Sequence, residues 1–235
     1  MTAGLLRHDG YSARVGPWRG DERSALIAPA TRGRPGMAPG FLRWCCDQLA
    51  SRGVARVVSP ALLPDDTTAY QQAGFRTLEE LHLLCHDLRS RPPARPSVAR
   101  LRRGHRRDMP DVVRIDNDAF QPFWRFDANG LSEARSITPR SRFRVAAVGD
   151  TLAGYALTGL GQRQGYLQRL AVAPSWQRKG VGAAMVCDSL SWLARRRAER
   201  VMVNTQLANE PALGLYQSLG FHLEPTRLRV MAYDV

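Results

Sequence analysis

Apolar and polar residues in the second half of the chain are spaced in ways that predict both helices and strands. A strand begins at Leu101, and Met109 to Phe120 carries apolar residues at helical spacing. Two apolar runs, Phe143 to Val148 and Leu152 to Leu157, lie on either side of Gly149-Asp150. We therefore predict a first helix followed by a β-hairpin with a two-residue turn.

A glycine-bearing loop joins the next apolar strand to a helix. The strand reads Arg169-Leu170-Ala171-Val172-Ala173-Pro174, and the loop reads Gln177-Arg178-Lys179-Gly180-Val181-Gly182-Ala183. The two glycines let the backbone approach a ligand closely, and the start of the helix presents unpaired N–H groups. Two adjacent cationic side chains add positive charge. A strand, a glycine loop and a helix in this order predict a pyrophosphate site.

A second motif follows that helix. The strand Arg200 to Val203 leads to Asn209 and then to a short helix that carries Tyr216 and is closed by Gly220-Phe221. In this order and spacing, the two motifs resemble the GNAT superfamily of acetyl-coenzyme A dependent N-acetyltransferases. The resemblance implies an α/β (α+β) GNAT fold, in which helices flank a mixed central sheet, with acetyl-CoA as cosubstrate.

The resemblance also implies a role for individual residues. The backbone N–H of Leu170 would stabilise the oxyanion, and the main chain of Val172 would hold the pantetheine arm. Asn209 would hydrogen-bond that arm, and Tyr216 would protonate the leaving thiolate. The implied cofactor-binding residues are Leu170, Ala171, Val172, Gln177, Arg178, Lys179, Gly180, Val181, Gly182, Ala183, Asn209, Ala212 and Tyr216.

The general base is where this chain departs from the family. An amine attacks a thioester only when it is neutral, so another group must accept its proton. In the ribosomal-protein N-terminal acetyltransferases, the nearest subgroup by motif, a glutamate lies five residues before the asparagine. Asn204 stands at that position here and could orient a water. The other candidates for the base are Asp127, Glu133, Glu224 and Asp234.

Aromatic residues follow the first predicted helix, where the family has one wall of its acceptor site. Phe120, Phe123 and Trp124 could contact the acceptor there, or could simply pack the helices together. We expect direct transfer of an acetyl group to a primary amine, with a protein or peptide α-amine as the leading acceptor. A polyamine, an amino sugar or an antibiotic is the alternative. A non-catalytic acetyl-CoA-binding protein is a further alternative, which loss of the glutamate favours and retention of Tyr216 opposes.

The first ninety residues repeat the order of elements of the second half. Tyr70 to Phe75 parallels Tyr216 to Phe221, and the helix Phe41 to Arg52 precedes the strand Arg56 to Val58. The loop equivalent to the glycine loop is Gly33 to Ala38, in which a proline removes one N–H donor. We predict that residues 1–90 form a degenerate partial GNAT-like domain with a structural role. Residues 91–97 are a predicted Pro/Arg-rich linker, and residues 98–235 a predicted catalytic GNAT domain.

Composition limits the remaining function classes. The chain has 235 residues, of which 44% are hydrophobic, and it shows neither a charged-then-apolar leader nor an apolar run near membrane-spanning length. We therefore expect a cytoplasmic protein with no membrane partner. The formal charge of +13 comes almost entirely from arginine, since Lys179 is the only lysine. We attribute this charge to composition rather than to nucleic-acid binding. The sequence does not indicate an oligomeric state.

Cysteine and histidine spacing predict no metal site. The four cysteines form no C-x-x-C pair, and the adjacent Cys45 and Cys46 predict reduced, buried thiols. His82 and His86 have the spacing of ligands on a helix, but their segment predicts a strand. We therefore expect acetyl-CoA without a metal.

Overall fold

A computed structural model describes residues 3–30, 37–89 and 95–235. Their contacts divide the chain into two compact units, each built from more than one stretch of sequence. The first unit comprises Met1–Leu83, Gln206–Ala208 and Pro225–Val235, and the second comprises Leu84–Thr205 and Asn209–Glu224. Over the residues that the structure describes, no helix combines the length and apolar character needed to span a membrane.

The first unit holds two helices and a mixed sheet. Its elements are β1 (Gly4–His8), β2 (Tyr11–Trp18), β3 (Asp21–Pro29), α1 (Pro39–Ala50), β4 (Arg56–Val58), α2 (Pro64–Gln72), β5 (Arg76–His86) and β11 (His222–Asp234). Strands β5 and β11 contribute residues to both units. The strand order is β1-β2-β3-β4-β11-β5. Helix α1 begins at a proline, which suits a first helical turn because the missing N–H would have no partner there.

The second unit contains the elements that the motifs predicted. They are β6 (Arg100–Arg103), α3 (Met109–Ala119), α4 (Ala128–Ser136), β7 (Arg140–Val148), β8 (Thr151–Gly161), β9 (Gln164–Val172), α5 (Val181–Arg195), β10 (Arg200–Gln206) and α6 (Glu210–Ser218). The strand order is β10-β9-β8-β7-β6. The predicted hairpin is confirmed, since Val148 pairs with Thr151 across Gly149-Asp150.

Helices pack on both faces of the second unit's sheet. On one face, α3 and α4 form a core with β7, β8 and β9 that includes Val112, Leu131 and Tyr155. On the other face, α5 and α6 pack on β9 and β10 through residues such as Leu190 and Tyr216. This arrangement confirms the predicted mixed sheet flanked by helices.

The two units share an order of elements. Along the chain, β3 is followed by α1, β4, α2 and β5, and β9 is followed by α5, β10, α6 and β11. Both units pair the first two strands of this series in parallel over three residue pairs. The predicted loop Gly33 to Ala38 is described only from Met37 onward, so Gly33–Gly36 lie outside the described residues.

The unit boundaries differ from the predicted linear division. The sequence predicted one boundary at residues 91–97, whereas Pro225–Val235, which include most of the last strand, belong to the first unit. The reason is pairing: Ala232 lies opposite Val58 and Asp234 opposite Arg56. Residues 91–94 of the predicted linker lie outside the described residues.

A partly buried ion pair lies at the start of helix α3. Asp108 is 5% exposed, and its carboxylate accepts hydrogen bonds from Arg102 Nη1 at 2.8 Å and Nη2 at 2.7 Å. Its Oδ2 also accepts from the backbone N–H of His105 at 2.7 Å. These donors favour the charged form and lower the pKa of Asp108 to about 2.

The ion pair at Asp108 makes stability depend on pH in the acid range. Because the folded pKa lies below the ordinary value, the stabilisation is complete above that value and is lost as the pH falls through the folded pKa. It amounts to about 2 kcal/mol at neutral pH. We expect Asp108→Asn to lower the free energy of unfolding, measured in urea, by about this amount at neutral pH. The difference from wild type should shrink by at least half at about pH 2.5, and a constant difference would contradict the assignment.

Candidate active site

Strands β9 and β10 run side by side only at their beginnings. Arg200 lies opposite Gln164, Val201 opposite Gly165, and Met202 opposite Tyr166. Among the described residues, pairing between these strands stops there, although β9 continues to Val172 and β10 to Gln206. The end of β9 therefore has an edge toward β10 on which backbone groups lack a strand partner.

The backbone of Leu170 and Val172 faces this open edge. In an antiparallel pair, successive residues alternate between hydrogen-bonded and non-hydrogen-bonded positions. The N–H of Ala173 donates to Ala153 of β8 at 2.9 Å, so Val172 and Leu170 occupy positions that point away from β8. These are the two residues whose main chain was predicted to act on the acetyl group and the pantetheine arm.

A β-bulge lies just before Leu170. Leu157 of β8 pairs with Arg169, but the next residue, Thr158, pairs with Leu167, so Gln168 is the extra residue. Leu167 and Leu170 consequently both pack on the α5 face of the sheet, while Arg169 contacts α3 on the other face. The bulge thus puts the charged side chain of Arg169 on the α3 face of the sheet and the apolar side chains of Leu167 and Leu170 on the α5 face.

The start of helix α5 meets the requirements of an anion site. The helix begins after Gly180, which has a φ of 78°, and no side chain caps it. Its first N–H groups therefore have no partner within the helix. A Cβ at Gly180 would lie 2.5 Å from the carbonyl oxygen of Pro96, so this position requires glycine for packing as well as for its φ.

The side chains of the glycine loop divide into two kinds. Gln177 Nε2 donates to the carbonyl oxygen of Val172 at 3.1 Å, which ties the loop to β9. Arg178 and Lys179 are exposed, and the Lys179 ammonium lies 4.7 Å from the centre of the Trp176 ring. The loop therefore carries two solvent-facing cations beside uncapped N–H groups, while Gln177 has a structural contact.

Helix α6 brings the second motif to the same cluster. Asn209 Oδ1 caps the helix by accepting from the N–H of Ala212 at 3.2 Å. Tyr216 is 6% exposed, its ring lies 5.6 Å from that of Phe221, and it shares a hydrophobic cluster with Leu170, Ala183 and Ala212. Burial raises the pKa of Tyr216, while the charge of Arg169 acts in the opposite direction. The phenol therefore stays protonated at neutral pH.

The predicted acceptor-wall aromatics surround an arginine. The guanidinium of Arg169 lies 3.4 Å from the centre of the Phe120 ring, and its Nη2 donates to the carbonyl oxygen of Trp124 at 2.6 Å. Trp124 is buried and Phe123 is half-buried, with their rings 5.1 Å apart. One face of Phe120 is thus covered by Arg169, and packing accounts for much of what these aromatics do.

Residues 109–221 match the family model described as Acetyltransferase (GNAT) family. They form a GNAT acetyltransferase domain. Helices α3 to α6 and strands β7 to β10 all fall within this GNAT domain, so the family match covers the open edge, the glycine loop and Tyr216.

Curated relatives match the chain over different extents. N-alpha-acetyltransferase 30 of Xenopus laevis is 32% identical over 33% of this chain and 30% of its own length. [Ribosomal protein bS18]-alanine N-acetyltransferase of Escherichia coli K12 is 31% identical over 30% of this chain and 48% of its own. Mycothiol acetyltransferase of a Nocardioides strain is 24% identical over 92% of this chain and 80% of its own. The chain thus spans less than half the length of the first two relatives.

Solved structures share the fold over nearly the whole chain. A tandem GNAT protein from the clavulanic acid biosynthesis pathway has a TM-score of 0.70 at 14% identity, covering 98% of this chain and 81% of its own. The fold likeness therefore extends beyond the GNAT domain into the first ninety residues.

The candidate bases take different places around the GNAT domain. Asn204 is exposed on β10, just past the end of the pairing with β9. Asp127 Oδ1 accepts from the N–H of Gly130 at 2.7 Å and caps α4. Glu133 is exposed. Asp234 pairs with Arg56 at 2.6 Å inside the first unit, which leaves it outside the GNAT domain.

A group of possible metal ligands lies on other strands. Cys85, His222 and Glu224 bring their ligand atoms within 4.8 Å of one another, and His222 Nε2 lies 3.5 Å from Glu224 Oε1. Burial, with a smaller contribution from Glu224, raises the pKa of the Cys85 thiol, which favours the protonated form. Glu224 therefore interacts with both His222 and Cys85. His86, which the sequence analysis considered, is buried, and its Nδ1 accepts from the N–H of Leu88 at 2.9 Å.

The sequence motifs did not predict the buried pair of Asp116 and Arg169. Asp116 falls on the buried side of α3 beside Val112 and Ile115, and Arg169 falls on a buried position of β9. A charged residue within an apolar face of each element is the signal that could have identified them, because buried charges require partners.

Proposed function

We propose that this protein transfers the acetyl group of acetyl-CoA to a primary amine. The single observation that carries the proposal is the open edge of β9, where Leu170 and Val172 present backbone groups without a β-sheet partner. An extended pantetheine arm can hydrogen-bond to such an edge as a further strand would. The adjacent start of α5 and the two exposed cations suit the pyrophosphate at the end of that arm.

The chemistry needs three functions from the protein. The neutral amine attacks the thioester carbonyl, forming a C–N bond, and the developing oxyanion accepts a hydrogen bond from the Leu170 N–H. The C–S bond then breaks, and Tyr216 supplies a proton to the thiolate. The proton lost by the amine leaves through water, with Asn204 as the group that orients it. Both substrates are bound together, so positioning provides much of the rate.

A protein or peptide α-amine is the acceptor that we favour. Two of the relatives are named for acetylation of protein α-amines, and an α-amine with an ordinary pKa near 8 needs less help to lose its proton than an alkyl amine near 10. This suits a site in which Asn204 replaces a carboxylate. A small amine is the alternative acceptor. The exposed Asn204 also keeps a non-catalytic acetyl-CoA-binding protein as a second candidate function.

The first unit, in this proposal, is a degenerate partial GNAT-like domain with a structural role. Its support is the shared order of elements and the matching parallel pairing of β3 with β4 and of β9 with β10. Residues 91–97 would link it to the catalytic domain.

Charge reversal in the glycine loop tests cofactor binding. We expect Arg178→Glu/Lys179→Glu to raise the dissociation constant for acetyl-CoA, measured by calorimetry, about 10- to 100-fold. Each reversal exchanges attraction for repulsion of about 1 kcal/mol at an exposed site. These positions are exposed, so the change leaves the core of the domain intact.

The matched control lies at the other end of the same helix. Arg195→Glu/Arg197→Glu changes the net charge by the same amount and should leave acetyl-CoA affinity within about twofold, because the Debye length screens distant surface charges. Equal weakening in both variants would mean that the loop is not the pyrophosphate site. If acetyl-CoA binds, peptides with free α-amines are then compared with polyamines and amino sugars as acceptors.

A further inference from the structure

A closed hydrogen-bond network lies beneath the predicted acceptor wall. Asp116 is 0% exposed and Arg169 8% exposed. Arg169 Nε donates to Asp116 Oδ2 at 2.7 Å, and its Nη2 donates to Oδ1 at 2.8 Å. The hydroxyl of Tyr155 also donates to Asp116 Oδ2. Two charges are therefore buried together with good bidentate geometry.

The same pair holds the segment that follows α3. The carbonyl oxygen of Trp124 accepts from Arg169 at 2.6 Å, and the N–H of Phe126 donates to Asp116 at 2.7 Å. The guanidinium carbon of Arg169 lies 3.4 Å from the ring centre of Phe120 and 4.5 Å from that of Phe126. Residues 120–126 thus contact the side chains of the pair through the backbone of Trp124 and Phe126 and through the rings of Phe120 and Phe126.

Arg169 connects this segment to the proposed reacting groups, because its side chain contacts the segment and its backbone leads to Leu170. Arg169 immediately precedes Leu170, whose N–H is the proposed oxyanion donor, and the β-bulge at Gln168 directs Arg169 to the α3 face. Arg169 therefore contacts the wall with its side chain and continues directly into Leu170 with its backbone. The positive charge of Arg169 also acts on Tyr216, the proposed acid.

We propose that Arg169 is a positioning residue that holds the acceptor wall, residues 120–126, in a fixed position relative to the backbone of Leu170. The inference rests on the proposed function for the idea that residues 120–126 contact an acceptor. Whether Arg169 holds these residues in place can be measured without any enzymatic activity. A lysine at this position would keep the charge but could not make the paired contacts to Asp116 together with the contact to Trp124, because it lacks the planar fork of arginine.

Hydrogen exchange of the whole chain tests the physical part. In Arg169→Met, we expect amide exchange in peptides covering residues 121–126 to accelerate at least about tenfold, since the wall loses one backbone contact and its cation–π contacts. Arg169→Lys should give an intermediate increase. Arg142→Met is the matched control, because Arg142 pairs with Asp188 of α5 at 3.0 Å and does not contact the wall.

Two outcomes of the exchange experiment decide the inference. Faster exchange confined to the wall supports it, whereas unchanged exchange at residues 121–126, or the same change in Arg142→Met, overturns it. If Arg169→Met does not fold, Arg169→Met/Asp116→Asn removes the unpaired buried charge and allows the same measurement.

Kinetics add a test that distinguishes this inference from the proposed function. In Arg169→Met, the KM for a peptide acceptor should rise at least about tenfold while the dissociation constant for acetyl-CoA stays within about twofold. An unchanged acceptor KM contradicts the positioning role. If the wild-type protein acetylates no amine, the proposed function fails, and the exchange result alone then decides whether Arg169 holds the wall.

Discussion

Tyr216→Phe is expected to slow acetyl transfer by about 100- to 1000-fold, the usual contribution of a positioned proton donor. The ring of Tyr216 packs 5.6 Å from Phe221 in a buried cluster, and phenylalanine keeps that packing. Burial raises the pKa of the phenol, so the group carries its proton at neutral pH. Loss of the hydroxyl should therefore reduce kcat and leave the dissociation constant for acetyl-CoA within about twofold.

The first unit supplies a matched control for this variant. Tyr70 occupies the equivalent place, 5.2 Å from Phe75, and burial raises its pKa as well. Its buried hydroxyl has no hydrogen-bond partner among the residues that the structure describes, so Tyr70→Phe removes an unsatisfied polar group and should leave turnover unchanged. A Tyr216→Phe protein that acetylates at the wild-type rate would remove Tyr216 from the mechanism.

Local patterns were sufficient for the elements that carry the motifs. The helical spacing from Met109 and the turn at Gly149-Asp150 reappear as α3 and the β7–β8 hairpin. The helix after Gly180 begins where glycine and a run of apolar residues predicted it. Each of these elements depends on residues within a few positions of one another, which is the range that periodicity and turn chemistry describe.

Long-range pairing was beyond the reach of those patterns. Strand β11 pairs with β4 from the other end of the chain, and this contact assigns the last residues to the first unit. The first hairpin, β1 with β2, also went unpredicted, although Asp9-Gly10 is a hairpin signal between its strands. Strand partners that are distant in sequence leave no signal in the local pattern of residues. That pattern can therefore predict a strand but not the distant strand with which it pairs.

The candidate active site shows the same limit of local sequence patterns. The glycine loop and Tyr216 are contiguous motifs and were found, but Asp116 and Arg169 are 53 residues apart. Asp116 belongs to no motif, and Arg169 only opens the strand before the glycine loop. Arg169 faces Asp116 because a bulge adds Gln168 to β9. Each charged side chain can be buried because the structure places the other beside it.

Asp116→Ala is expected to lower the free energy of unfolding by about 3–5 kcal/mol, the cost of leaving one member of a buried ion pair without its partner. Arg169 would keep the carbonyl oxygen of Trp124 and the faces of two aromatic rings as partners, but no carboxylate from the network. The hydroxyl of Tyr155 and the N–H of Phe126 would also lose their acceptor. Urea unfolding followed by circular dichroism at neutral pH measures the loss.

The double variant Asp116→Ala/Arg169→Met separates charge from packing. If the unpaired guanidinium causes most of the loss, the double variant should be more stable than Asp116→Ala alone, because removing both charges also removes the desolvation penalty. If the double variant is as unstable as the sum of the two single variants, the cost lies in the hydrogen bonds of Tyr155 and Phe126 and in the cavity, rather than in the charge. Either result separates the cost of an unpaired buried charge from the cost of the hydrogen bonds that Asp116 and Arg169 make to Phe126 and Trp124.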